Sequence, residues 1–504
     1  MDIIPVILFL VLYYLRPQEW PIGLSSIHFV QLTMLAGLAS LSFRARGFRV
    51  GDLFRTPHDY AVLAFWLWIV FSSPTPWPTF KDSANLYIFY IVIVQTLNTV
   101  PRLNVFAGWW TFLIAAVAGL AVMSLHGFDP LDSAEITHFT MKERLVLNLS
   151  IFNNPNGLGH SVAPAIPLLY YYCVWKKPIF LRAIGLGLTA VVAYCIFLTE
   201  SKGAFIAGGA TIVGTLTFGR PKTVQIAIIA GAAIFGSSIL YALPRMQELN
   251  KSKTDEAIQG RVMAFRHGYK MLTTTDHGVG FHNWLTSFLA AKYHFKATHT
   301  DKESLKKTQP IVSKAPHSSY VCIGAELGYT GFFLLFGILY CCLRTVITAR
   351  TITPDEERIR RILFILILTY MVSSWMVDFA YRPTFFMFAA ATAALHRHLH
   401  GLNAVAENEA EEKTRQEPDP FVPAWRARLV PQPASAGGFA PAGESARILT
   451  LEPLPAEAPA PAPAAKPESR IGYAWNRLGV VDFALAGAMA YAAIRYWSYI
   501  LTRM

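Results

Sequence analysis

Long uninterrupted runs of apolar residues constrain this chain more than any other feature. A helix needs about 20 largely apolar residues to cross the hydrocarbon core of a bilayer, and the run at 105–125 has that length without polar alternation. Soluble strands or a membrane barrel would require alternating segments. Thirteen segments have the character of a span: 3–15, 27–43, 60–73, 83–99, 105–125, 160–175, 180–198, 203–219, 223–243, 318–343, 361–377, 384–396 and 478–501.

The composition agrees with a membrane protein. Only 15% of the residues are charged and 53% are hydrophobic, whereas about 25% of the residues of a soluble domain are charged. We therefore predict an all-α fold, a polytopic transmembrane helical bundle of about twelve spans plus a C-terminal one.

The placement of arginine and lysine predicts the orientation of this bundle. Basic residues gather in alternate short loops, such as the one with Arg44, Arg46, Arg49 and Arg55, and positive loops stay in the cytoplasm. The opposite side then receives 126–159, the turn Thr199–Gly203, the loop 245–317 and the turn Asp378–Pro383. The net charge of +12 is thus explained by orientation, and we predict no nucleic-acid partner.

The chain divides into a core and an extension. We predict that residues 1–402 form the transmembrane core, which includes the large polar loop 245–317, and that the first span is retained rather than cleaved. Residues 403–470 are rich in Pro, Ala and Glu, which predicts a disordered cytoplasmic linker. Residues 471–504 then hold a C-terminal transmembrane helix, with a helix lying along the interface as the alternative.

Signatures of cofactor and metal sites are missing from the sequence. The five cysteines lie in or beside apolar runs without a CxxC pair, so we expect neither a metal site nor a disulfide framework. Walker, Rossmann, HExxH and GxSxG motifs are also absent. We predict no cofactor and no metal.

Candidate chemical groups lie on the non-cytoplasmic side. His317 stands at the mouth of a predicted span, where a histidine suits acid–base chemistry at neutral pH; the alternative is a helix-entry residue held by hydrogen bonds. Arg261 and Arg266 in the polar loop suit an anionic ligand such as a phosphate or pyrophosphate; the alternative is a solvated loop whose charge has no special role. Lys202 lies in a tight turn, where a lysine that snorkels to the interface is the plainer interpretation.

Four short motifs together resemble those of a known family. They are Asn154-Pro155-Asn156 before a span, Ser201-Lys202-Gly203-Ala204 between two spans, Gly260-Arg261 followed by Gly278-Val279-Gly280 in the long loop, and His317-Ser318-Ser319-Tyr320 with Glu326-Leu327-Gly328-Tyr329-Thr330-Gly331. In this order they resemble the O-antigen ligase and polymerase superfamily of bacterial polytopic glycosyltransferases, including O-oligosaccharyltransferases. The family's usual Ser-Arg-Gly is Ser-Lys-Gly here, and its usual His-Asn is His-Ser.

This resemblance implies a GT-C-like bundle in the bacterial inner membrane, with loop 245–317 and the active site in the periplasm. The donor would be a glycan on undecaprenyl pyrophosphate, and the acceptor hydroxyl would belong to lipid A-core, a glycan or a protein. The reaction would be metal-independent and inverting.

The resemblance also assigns roles to particular residues. Arg261 and Lys202 would stabilise the leaving pyrophosphate, with Arg266 and Arg382 as helpers. His317 would act on the acceptor hydroxyl. Glu326, an acid inside a span, would give structural support or assist on the acceptor side.

Three alternatives remain open from the sequence. A polymerase of the same superfamily shares nearly all the chemistry and differs in its acceptor. A membrane transporter or flippase would require charges at the membrane midplane and inverted repeats, and the sequence has few of the former and no clear repeat. A nonenzymatic scaffold of a polysaccharide complex would use the Pro-rich tail for docking.

Overall fold

The computed structural model describes residues 3–20, 29–42, 53–140, 143–242, 256–287, 315–401 and 478–503. These residues form helices and turns, and no β-strand occurs among them, so the predicted all-α fold is confirmed. The helices are α1 Ile4–Tyr14, α2 Phe29–Ser42, α3 Pro57–Phe71, α4 Pro76–Thr96, α5 Val100–Ser124, α6 Ser133–Thr140, α7 Pro155–Val162, α8 Ala165–Leu169, α9 Ile179–Leu198, α10 Lys202–Thr217, α11 Lys222–Ala242, α12 Glu256–Thr274, α13 Ser319–Thr348, α14 Pro354–Ser373, α15 Pro383–Leu399 and α16 Val480–Arg503.

Every predicted span overlaps a helix, but the helices differ in length and apolarity. Among the described residues, α5, α9 and α13 are long and apolar enough to cross a membrane, and α2, α3 and part of α11 are shorter apolar helices. The number of spans and the GT-C-like arrangement therefore remain predictions. The linker 403–470 and the part of the large loop at 288–314 lie outside the described residues.

The segment 160–175 was predicted as one span, and the structure has a broken path instead. Helices α7 and α8 are followed by a π-helical turn at Tyr170–Val174. Pro164 and Pro167 explain the break, because proline removes a backbone donor and its ring clashes with the preceding turn of a helix. This departure lets α7 carry its polar N-terminus to the end of the bundle.

Local sequence signals fix where several helices begin. Pro354 occupies the first turn of α14, where its missing N–H costs nothing. Thr353 precedes it as the N-cap, and its hydroxyl accepts a hydrogen bond from the Glu356 amide at 3.2 Å. The Glu356 carboxylate in turn accepts one from the Thr353 amide at 3.3 Å, which completes a capping box.

Helix α15 forms the centre of the bundle. It packs against α3, α4, α5, α13 and α14, and nearly all its side chains are buried. Small residues at Ala389–Ala391 and Ala393–Ala394 permit this close approach. Such residues are common where membrane helices pack against one another.

The two ends of the bundle gather different loops. At one end, here called the site end, the turns at 153–156, 199–202, 315–318 and 374–382 come together. The other end, here called the arginine end, joins the start of α3 to the end of α15 through Asp59 and Arg397. The loops at each end are those that the charge pattern assigned to one side of the membrane.

Candidate active site

The Asn-Pro-Asn turn is joined directly to the Ser-Lys-Gly turn. Asn154 caps α7, since its side-chain oxygen accepts hydrogen bonds from the amides of Asn156 and Gly157 at 2.9 and 3.4 Å. The Asn156 side-chain oxygen then accepts a hydrogen bond from the Ser201 hydroxyl at 2.8 Å. Two motifs separated by 45 residues in sequence thus share one hydrogen bond.

Lys202 begins α10 at the site end of the bundle. Its neighbour Ser201 is the N-cap, whose hydroxyl accepts a hydrogen bond from the Ala204 amide at 3.3 Å. The Lys202 side chain is half-buried. Because a helix N-terminus carries partial positive charge and free amides, a lysine in its first turn adds to a local preference for an anion.

Gly203 allows a buried histidine to approach this turn. A Cβ at position 203 would lie 2.6 Å from His160 Nε2 and 2.9 Å from the Met376 sulfur. Glycine is therefore required by close approach rather than by its backbone angles. The third residue of the Ser-Lys-Gly motif leaves room for the imidazole.

His160 connects α7 to the end of α14. The side chain is 2% exposed, and its Nδ1 lies 2.9 Å from the Ser373 hydroxyl oxygen. Sequence analysis did not select this residue. The available signal was a histidine four residues after an Asn-Pro-Asn turn, inside an otherwise apolar segment.

The His-Ser-Ser motif is anchored on the residues that follow α14. The Ser318 hydroxyl donates to the Ser374 carbonyl at 2.8 Å. The Ser319 amide donates to the same carbonyl at 2.8 Å, and its hydroxyl donates to the Val377 carbonyl at 3.1 Å. Both serines are fully buried, so the start of α13 has a fixed position.

His317 immediately precedes these anchored serines and has an unusual backbone conformation. Its φ is 48°, in the left-handed region that non-glycine residues seldom adopt. The chain must turn sharply here to bring Ser318 and Ser319 onto their partners. The His317 side chain is half-buried at the site end of the bundle.

Arg261 lies on a loop helix that packs along the start of α13. Gly268 packs on Val321, and the turn at Gly278 packs on Gly328, so the two segments run in the same direction. Arg261 is seven residues before Gly268, about 10 Å along the helix, toward the end at which α13 begins. Its guanidinium is within electrostatic range of His160.

Arg266 and Arg382 differ in their relation to this cluster. Arg266 is exposed and lies about 140° around α12 from Arg261, and no contact among the described residues brings it to the other cations. Arg382 lines the same cavity as His160, a space of about 60 Å³. Burial raises the pKa of the neighbouring Asp378, an effect opposed by the Ala380 amide and by Arg382.

The Gly-Val-Gly turn is inserted into a break in α13. At Gly328 the backbone leaves helical geometry, with φ 65° and ψ −163°, so carbonyls of the preceding turn lose their helical partners. The Ala325 carbonyl accepts a hydrogen bond from the Val279 amide at 3.1 Å, and the Glu326 carbonyl accepts one from the Gly280 amide at 2.8 Å. The apolar run predicted an uninterrupted span here. The break falls at Gly328, within the Glu326–Gly331 part of the family motif.

Glu326 holds the loop and the turn after α14 in place. One carboxylate oxygen accepts a hydrogen bond from the Trp284 amide at 3.0 Å, and the other accepts one from the Tyr381 hydroxyl at 2.9 Å. The side chain is 2% exposed. These contacts are those of a supporting residue, which was one of its two predicted roles; the acceptor-side role stays a prediction.

The comparisons with known proteins bear on this arrangement. Residues 187–336 match the family model described as O-Antigen ligase. This stretch of the chain is similar to an O-antigen ligase domain. No curated protein matches the sequence. The resemblance inferred from the motifs is confirmed, and the match includes Lys202, Arg261, Arg266, His317 and Glu326.

This match indicates the chemistry at a coarse level. It supports a membrane glycosyltransferase of the ligase and polymerase kind, whose substrates are lipid-linked glycans. The Asn-Pro-Asn turn and His160 lie outside the matched range but approach Ser201 and Gly203 within it. Arg382 also lies outside the matched range. Among the described residues, no three His, Cys, Asp or Glu side chains are grouped so as to hold a metal ion.

Proposed function

We propose that this protein transfers a glycan from undecaprenyl pyrophosphate to an acceptor hydroxyl at the periplasmic face of the inner membrane. In this proposal the acceptor oxygen attacks the anomeric carbon of the donor sugar and inverts it. The bond to the pyrophosphate oxygen breaks, and its electron pair leaves with the lipid pyrophosphate. The proton of the acceptor hydroxyl passes to His317.

One observation supports this assignment above the others. Hydrogen bonds join turns from distant parts of the chain. Asn156 bonds with Ser201, and His160 and Ser318 bond with Ser373 and Ser374 at the end of α14. Lys202 and His317 are the sequence neighbours of these anchored residues.

The cations suit the leaving group in this scheme. Negative charge develops on the pyrophosphate as the glycosidic bond breaks, and preorganised donors at that position lower the barrier. Lys202 at a helix N-terminus and Arg261 on the loop helix supply such donors, with Arg382 on the neighbouring cavity as a helper. Arg266 is the weakest of the four assignments, because it faces another direction.

The test is transfer of glycan by the purified full-length protein in lipid nanodiscs. His317→Ala should lower turnover by roughly 10²- to 10⁴-fold, as expected for a general acid–base group. Arg261→Ala should remove about 1.5–3 kcal/mol of charge-assisted binding, a loss of about 10- to 150-fold in kcat/KM. Lys270→Ala is the matched control, since it removes a positive charge from an exposed position on the same helix.

The choice of acceptor distinguishes ligase from polymerase. Lipid A-core, a second lipid-linked glycan and a Ser/Thr peptide are offered in separate reactions, each with and without EDTA. We expect transfer to one acceptor class and the same rate in EDTA. Normal turnover of both His317→Ala and Arg261→Ala would overturn the catalytic assignment.

A further inference from the structure

The C-terminal helix α16 lies along α13 from one end to the other. Near its start, Asp482 is buried, forms an ion pair with Arg344 and accepts a hydrogen bond from the Tyr340 hydroxyl at 2.9 Å. Near its end, Trp497 packs against Gly324. The two helices are therefore antiparallel, and α16 reaches the half of α13 that follows His317.

Trp497 occupies a fitted position between α12 and α13. It is fully buried, and its indole N–H donates to the Phe265 carbonyl at 3.2 Å. A Cβ at Gly268 or Gly324 would lie 3.2 or 3.0 Å from the indole ring, so a glycine on each helix makes room for it. The ring also meets that of Tyr269 edge-on, with centroids 5.6 Å apart.

Helix α12 depends on a small hydrophobic cluster of its own. The buried members of this cluster are Ala264, Phe265, Met271, Leu272, Trp284, Val321, Ala325 and Trp497. Trp497 is its only buried member from α16, and it contacts α12 one turn after Arg261. Three partly buried residues of α16, Ile494, Ile500 and Leu501, pack against the same cluster, so Trp497 is the buried centre of a wider apolar contact between α16 and this cluster.

We propose that α16 is a brace that positions the loop helix α12, and that Trp497 is the positioning residue for Arg261. Asp482 fixes one end of the brace to α13, and Trp497 fixes the other end to both helices. The proposal rests on the proposed function for its effect on catalysis, but the packing effect is independent of any activity. It also gives the extension after residue 402 a part in the working site.

The first measurement is hydrogen exchange of the full-length protein, with peptides from α12 compared with peptides from α15. Trp497→Ala should speed exchange in α12 and leave α15 unchanged. Tyr491→Ala is the matched control, because Tyr491 is an exposed aromatic residue on the same helix. Trp497→Phe should speed exchange in α12 by a smaller amount. This variant replaces the alanine variant in the test if the latter does not fold.

The second measurement is the kcat/KM for the lipid-linked donor. Trp497→Ala should lower it by roughly 10- to 100-fold, as small misplacements of binding groups do, and Trp497→Phe should recover most of the loss. In the Arg261→Ala background, Trp497→Ala should cost little more, because both changes remove the same contact.

The outcomes separate the two proposals. Unchanged exchange in α12 of both Trp497 variants would overturn the brace. If Trp497→Ala lowered kcat/KM equally in the unmodified protein and in the Arg261→Ala variant, the link to Arg261 would be overturned. Trp497 would then have only a structural role. Absence of transfer by the unmodified protein would count against the proposed function, and hydrogen exchange would still decide the brace.

Discussion

The two ends of the helical bundle use buried polar groups in different ways. At the arginine end, Asp59 is 1% exposed and Arg397 is 3% exposed, and they form an ion pair at 2.9 Å. The same carboxylate accepts hydrogen bonds from the Tyr90 and Thr56 hydroxyls, each at 2.8 Å. A carboxylate with this many donors is satisfied from within the protein.

At the site end, several of the connections between turns are made by uncharged groups, although the Arg144 guanidinium donates to the Thr199 carbonyl at 2.9 Å and the Glu326 carboxylate accepts from the Tyr381 hydroxyl at 2.9 Å. Hydroxyls, side-chain amides and backbone carbonyls join the turns, as with Ser201 and Asn156 or Ser318 and Ser374. The basic side chains lie nearer solvent, since Lys202 is half-buried and Arg261 is exposed.

This difference separates charges that are committed to the fold by burial from charges that lie nearer solvent. Burying an ion pair costs desolvation that only good internal geometry offsets, so Arg397 is committed to Asp59. Lys202 and Arg261 are less buried, so they bear less of that cost. Substitutions of basic residues should therefore affect mainly stability at the arginine end and mainly activity at the site end.

The largest expected effect on stability is at the arginine end. Arg397→Ala leaves the Asp59 carboxylate buried without its cation, which should cost about 3–5 kcal/mol. Thermal unfolding in nanodiscs measures the loss, and Arg220→Ala, at an exposed position, should change little. If Arg397→Ala kept its stability and lost only transfer, the contrast between the two ends would be wrong.

A smaller effect is expected where the Ser-Lys-Gly turn meets His160. Gly203→Ala puts a methyl group against the imidazole and should destabilise the protein by about 1–3 kcal/mol through overpacking. Gly209→Ala on the same helix meets no atom within 4 Å and should be neutral or stabilising by up to about 1 kcal/mol. Equal unfolding midpoints for the two variants would show that the turn can relax without cost.

The smallest effect is expected from pH, at the site end. Partial burial lowers the pKa of His282 from the ordinary 6.5, an effect that Asp82 opposes. The His282 imidazole is therefore protonated at a higher pH in the unfolded chain than in the folded protein. Its contribution to stability is present above pH 6.5 and is lost as the pH falls below that value. His282→Gln should unfold with a weaker dependence on pH between 7 and 5, and a slope as steep as that of the unmodified protein would exclude this contribution.

Hydropathy and charge predicted much of the architecture. The apolar runs gave the positions of helices such as α5, α9 and α13, and the order of motifs gave the family. The turns at Lys202 and His317 were assigned to one side of the membrane, and the structure has them at one end of the bundle.

The contacts within the site were beyond the sequence because they join distant segments. His160 and Ser373 are 213 residues apart, and nothing local relates them. The break at Gly328 was hidden because the apolar run continues through it, and its partners lie in a loop about 50 residues earlier. A local pattern reports which face of a helix is apolar, but it does not report which neighbour completes a backbone hydrogen bond.

The insertion of the Gly-Val-Gly turn into the break of α13 has a consequence for modularity. Removing that turn would leave the Ala325 and Glu326 carbonyls without their donors, at about 1–3 kcal/mol for each buried group. Loop and helix therefore form one cooperative unit. Chimeras with related domains should fold only when the Gly-Val-Gly turn and α13 are exchanged together.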